Sequence, residues 1–143
     1  MNSALMRDAL GKRQVMSLIT MWWGQDLTHF PFWFDVKFSK TTKARHFFRP
    51  TASMLEWWNK TKLNAAEDGK SPLLVIKAEG VWYCIQPLSM SMSSVGSVLT
   101  RKFGDDQVEI MTIDDFMLNF EDANPSRFGR KPELTVKTKK KTA

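Results

Sequence analysis

The stretch PLLVIK, residues 72–77, constrains this chain most. It is a short, continuous apolar run, and it reads as a strand buried on both faces. Upstream, FWFDVKF at 32–38 alternates instead. Phe32, Phe34, Val36 and Phe38 fall on one face of an extended strand, expected to be core, while Trp33, Asp35, Lys37 and Ser39 fall on the other. Between the two runs lies a helical pattern. Ser53 and Glu56 form a Ser-x-x-Glu capping box, and Leu55, Trp58, Leu63, Ala65 and Ala66 follow. Gly69 and Pro72 mark the stop. Strand, helix and buried strand make a βαβ unit, so the two strands should be parallel with a right-handed crossover.

The remaining elements hang on this unit. Residues 4–23 predict a first helix, with Leu5, Ala9, Val15, Leu18, Ile19 and Trp22 at helical spacing, although Gly11 weakens its middle. Gly24 is its stop. Glu79-Gly80 predicts a turn into an antiparallel strand at 81–86, VEIMTI at 108–113 another strand, and DDFMLNF at 114–120 a short helix with acids in its first turn. The Ser- and Met-rich residues 88–100 receive no assignment.

A chain of 143 residues is expected to form one domain around one core, here residues 1–123. Its net charge of +6 is uneven. Residues 124–143 hold seven Lys or Arg and one acid, so the body up to residue 123 nets to zero. That end, with Lys139, Lys140 and Lys141, reads as a basic, disordered tail. Within the body, Lys37 to Arg49 carries five bases and no acid. Such a run favours a phosphate-rich partner, the plainer alternative being a solvated loop. Lys40, Lys43, Arg45, His46 and Arg49 are the candidate nucleic-acid contacts, together with the three tail lysines. No apolar run is long enough to span a membrane, and no signal peptide is apparent. The single cysteine, Cys84, sits in an apolar strand and is expected to be inert core in a reducing, cytoplasmic setting.

Asp35 and Lys37 share the polar face of the first strand, about 7 Å apart along it. Asp26 lies nine residues upstream of Asp35, after Gly24. A turn that brings two carboxylates together makes a natural Mg²⁺ site, because Mg²⁺ takes hard oxygen ligands and keeps several waters. The metal polarises a phosphoryl oxygen and activates a bound water, and a neighbouring lysine can orient that water or balance developing charge. The alternatives are a surface ion pair for Asp35 and Lys37 and a turn or cap role for Asp26.

The wider order is more telling than any one motif. GQDLTHFPFWFDVKF, MLEWWNKTKLNAAEDGKSPLLVIK and VWYCIQPL together resemble the PD-(D/E)xK nuclease superfamily. More narrowly they resemble the phage-type Holliday-junction resolvase-like endonucleases. The resemblance covers about residues 24–87. It implies a restriction-endonuclease-like α/β core of αβββαβ type, a mixed sheet with flanking helices, and Mg²⁺- or Mn²⁺-dependent cleavage of DNA, such as branched or phage recombination intermediates. It further implies Asp26 and Asp35 as metal ligands, the carbonyl of Val36 completing the site, and Lys37 as the catalytic lysine. A homodimer, with two sites for two strands, and a host cytoplasm would follow. The family places an acid on its first helix, for which Gln14 and Asp8 are the nearest matches here. The short approach to Asp26, the tight spacing from Asp26 to Asp35, the Asp at position 35 and WWNK in the second helix depart from the pattern. They leave a second expectation standing, a catalytically degenerate protein that binds nucleic acid or a host protein.

Overall fold

Burial alternates from Phe32 to Val36 and is continuous from Leu73 to Ile76, and the strand order puts the first run at a sheet edge and the second inside the sheet. A computed structural model describes residues 3–91 and 98–124. The elements are α1 (Ser3–Trp23), β1 (Phe32–Phe38), α2 (Ala52–Glu67), β2 (Ser71–Ala78), β3 (Val81–Pro87), β4 (Leu99–Phe103), β5 (Asp106–Thr112) and α3 (Ile113–Ala123). The sheet order is β1-β2-β3-β5-β4. β1 and β2 are parallel, with Asp35 opposite Leu74 and Lys37 opposite Ile76. Every other neighbouring pair is antiparallel. The fold is therefore α+β, an open mixed sheet with helices on both faces.

The order of elements differs from αβββαβ. One strand, not three, separates the first two helices. Only residues 24–31 join α1 to β1, too few for a further hairpin. The additional strands come after β2 instead. β4 was not expected: LTRKF is short and alternates with charge, and it gains its strand identity by pairing with β5 across Gly104, whose φ is +65°. The basic tail lies outside the described residues, except for Asn124, as do residues 92–97 of the Ser/Met-rich stretch.

Two apolar layers flank the sheet. On one side Phe32, Phe34, Val36, Leu73, Val75, Cys84 and Met111 meet Val15 and Ile19 of α1 and Phe116 and Phe120 of α3. Aromatic rings dominate here: Trp23 and Phe30 centroids lie 5.1 Å apart, and Phe32 and Phe116 5.3 Å, in edge-on geometry. On the other side Leu74, Ile76, Ile85, Val108 and Ile110 meet Met54 and Trp58 of α2. Trp58 is buried, stacks edge-on to Phe103 and donates its indole N–H to Asp106 at 2.9 Å. Each of these fully buried large side chains contributes about 1.5–3 kcal/mol by leaving water.

Gly11, which weakened the sequence pattern of α1, has a packing role. A Cβ there would meet Cη2 of Trp82 at 2.9 Å and Cγ1 of Val36 at 3.2 Å. Glycine lets the helix backbone rest directly on the sheet. The N-cap of α2 also differs from expectation. Thr51, not Ser53, accepts the N–H of Met54, at 3.2 Å, and Glu56 is solvent-exposed. Ser53 sits inside the first turn.

Candidate functional site

β1 is an edge strand, and α1 runs antiparallel along it. Asp8, near the start of the helix, reaches Phe38 at the end of the strand, whereas Trp22, near the end of the helix, packs on Phe30 before the strand begins. Phe38 donates its backbone N–H to Asp8 Oδ1 at 2.8 Å. Two residues earlier, Val36 donates its N–H to Asp35 Oδ1 at 2.9 Å. These N–H groups share one side of the strand, the side that has no partner strand. Carboxylates thus close an edge that would otherwise template pairing with another chain.

Lys37 completes the cluster. Its Nζ lies 3.8 Å from Asp8 Oδ2 and 4.0 Å from Asp35 Oδ2. All three side chains are 20–24% exposed, so a solute can reach them. At these distances each ion pair contributes less than about 1 kcal/mol, so the two backbone hydrogen bonds outweigh the charges in fixing the cluster. Arg7 and Lys77 lie over the ring of Phe38, at 6.0 and 5.2 Å from its centroid. The end of β1 therefore presents two acids within a mostly cationic rim.

Asp35 and Lys37 are brought together as expected, but Asp26 is not joined to them. It sits in the turn after α1, where its Oδ1 accepts both the N–H and the hydroxyl of Thr28. Roughly 22 Å of helix separates Asp8 from the end of α1 where that turn begins. Among the described residues no group of three or more His, Cys, Asp or Glu side chains is placed to hold a metal ion. Asp8 is the acid that does reach the pair. Its signal in the sequence was only its place on the first helix, because its partner lies thirty residues away. Gln14 is exposed. Val36 turns its N–H to the free edge, and its carbonyl faces the same side, as an extended residue requires.

The basic candidates lie on the connection from β1 to α2. Lys40, Arg45 and Arg49 are exposed, and Lys43 and His46 are half-buried. None of them forms a salt bridge among the described residues. The segment is anchored rather than loose. Ala44 donates its N–H to Glu79 Oε1 at 2.7 Å, Phe47 is buried against Tyr83, and Arg101 stacks on Phe48 at 4.9 Å. Glu79 holds this position from a left-handed conformation, φ 52°, in the β2–β3 turn. Lys139, Lys140 and Lys141 lie outside the described residues.

Two further ionisable sites lie away from this edge. Asp106 accepts from Lys62 and from Trp58, and these contacts hold its carboxyl below the usual carboxylate range, the Lys62 hydrogen bond being the main cause. Burial pushes the Cys84 thiol well above its ordinary range, with Asp114 adding to the effect, in keeping with an inert core cysteine. No helix among the described residues is long and apolar enough to cross a membrane. Comparison with protein families, with curated proteins and with solved structures finds no match to this chain.

Proposed function

We propose that this protein is a metal-dependent endonuclease acting on DNA. The observation that carries the reading is the convergence of Asp8, Asp35 and Lys37 on one strand edge, next to an acid-free basic segment. Mg²⁺ needs only one or two carboxylates when substrate phosphates supply the remaining ligands. Asp8 and Asp35 would provide them through Oδ2, since each Oδ1 already accepts a backbone N–H. The Val36 carbonyl would serve as a third oxygen. When bound, the metal would polarise the phosphodiester and activate a water. Lys37 would orient the nucleophile or balance charge on the phosphoryl oxygens, and Lys40, Lys43, Arg45 and Arg49 would hold the backbone. In this reading Asp8 takes the place that the resemblance gave to Asp26. α1, β1, α2 and β2 form the part of a restriction-endonuclease-like core that this fold would share.

The test is cleavage of branched, double-stranded and single-stranded DNA with Mg²⁺ or Mn²⁺. Asp35→Ala, Lys37→Ala and Asp8→Ala should each lower the rate by at least about a hundredfold, and Asp26→Ala should not. Equal rates in the first three variants and the wild type would end the proposal. Loss of activity in Asp26→Ala would restore that residue to the site.

A second reading is favoured by one specific observation: the Lys37 ammonium lies between the two acids, where a cation would otherwise sit. On that reading the protein binds nucleic acid or a host protein without cutting. Calorimetric titration separates the two, since DNA binding with no uptake of millimolar Mg²⁺ supports the binder.

A further inference from the structure

The β1–α2 connection does more than display bases. It folds over a pocket of about 310 Å³ at the N-terminus of α2. The lining includes Ser39, Thr41, Thr42, His46 and Ser53, and no carboxylate contributes to it. Thr42 is only 6% exposed, yet its hydroxyl has no hydrogen-bond partner among the described residues. That hydroxyl is not one of the fully buried unpartnered atoms, so it opens to the pocket, where an entering group can take its hydrogen bond.

The donors around it agree in kind. His46 Nδ1 accepts the N–H of Lys43 at 3.0 Å, which places the ring proton on Nε2 as a donor. Thr51 spends its hydroxyl on Met54, so the N–H groups of Ala52 and Ser53 remain unused at the positive end of a helix of 16 residues. Ser39 and Thr41 exchange a hydrogen bond at 3.0 Å, fixing two more hydroxyls beside the opening. Lys40, Lys43, Arg45 and Arg49 belong to the same connection, and none of them forms a salt bridge among the described residues. A cation would find no carboxylate here, and an apolar ligand would strand the hydroxyls. A tetrahedral oxyanion matches both the donors and the charge.

We propose that this pocket binds a phosphate group. The inference deepens the reading above by naming the group recognised, and rests on it only for the source of that phosphate, a nucleic acid. The pocket would hold one phosphate while the acids at the edge of β1 act on another.

The experiment is titration followed by ¹H–¹⁵N spectra in EDTA, so that no metal chemistry contributes. The probes are inorganic phosphate, thymidine 5′-monophosphate, and a thymidine dinucleotide without terminal phosphate. Saturable shifts at the Ala52 and Ser53 amides are expected with at least one of them. A response to inorganic phosphate and the mononucleotide alone assigns a terminal phosphate, and a response to the dinucleotide assigns the backbone diester. Thr42→Val keeps the shape and Ser53→Ala keeps the Thr51 cap, so both variants should fold. Either should weaken binding by about tenfold or more, the effect of one hydrogen bond to a charged group. The proposal is overturned if no probe at millimolar concentration gives saturable shifts at those amides, or if both variants bind as the wild type does. Phosphate binding should survive in Asp35→Ala, so an inactive enzyme with an intact pocket and an active enzyme without one remain distinguishable.

Discussion

Replacing Asp8 separates the two roles that its carboxylate plays. Its Oδ1 takes the Phe38 N–H at 2.8 Å, and its Oδ2 lies 3.8 Å from Lys37. A hydrogen bond to a charged acceptor contributes about 1.5–3 kcal/mol, and partial exposure favours the lower half, about 2. The ion pair adds about 0.5 kcal/mol. Alanine's better helix propensity returns about 0.5 kcal/mol. Asp8→Ala should therefore lose about 2 kcal/mol. Asp8→Asn retains an acceptor oxygen but no charge, and should lose about 1 kcal/mol. Urea unfolding at neutral pH measures both, and Tm should fall by about 6 °C and 3 °C. An Asp8→Ala protein within about 0.5 kcal/mol of wild type would show that water serves the strand edge as well as the carboxylate does. An Asp8→Asn protein as weak as Asp8→Ala would show that charge, not the acceptor, holds the edge. Either result refutes the account of how this cluster is built.

Three other expectations can be checked directly. Thr51→Ala should cost about 1 kcal/mol by removing the cap of α2, and Ser53→Ala nearly nothing, measured by thermal unfolding. The Asp106 carboxyl is held below its ordinary value of 3.8, so its contribution is present above that pH and is lost as pH falls through the lower, folded-state value. Asp106→Asn should thus be less stable than wild type near neutrality, and the gap in urea midpoint should narrow in acid. Cys84 is buried with its thiol pushed up, so a disulfide exchange reagent should modify it only at the rate of unfolding.

What was legible in the sequence follows from where the information lay. The runs FWFDVKF and PLLVIK declare their burial through period alone; Phe32, Phe34, Val36 and Leu73 to Ile76 are buried as read, whereas Phe38, Pro72 and Lys77 at the strand ends are half-buried. The Glu79-Gly80 turn was readable because both residues adopt the left-handed region that a tight hairpin demands. The cap of α2 was misread because Ser53 and Glu56 match a local pattern as well as Thr51 does, and only the path of the preceding chain decides between them. At the candidate site, Asp35 and Lys37 were visible as neighbours on one strand face. Asp8 was not, since it acts on Phe38 through the docking of a whole helix. Asp26 looked like a partner for Asp35 because a turn after Gly24 could bring the two carboxylates together and the family resemblance put a metal ligand there. The antiparallel course of α1 instead leaves its turn at the far end of β1.

The missing side chain at position 11 bears on that cluster. Asp8 touches the strand where, three residues further on, the helix has no side chain between its backbone and Trp82. Standoff and reach are thus one variable. A methyl group at position 11 would have to displace the Trp82 ring and crowd Val36, or push the helix outward. An acid can be exchanged for another polar group and the fold survives, but the spacing that aims it depends on a position that must stay empty.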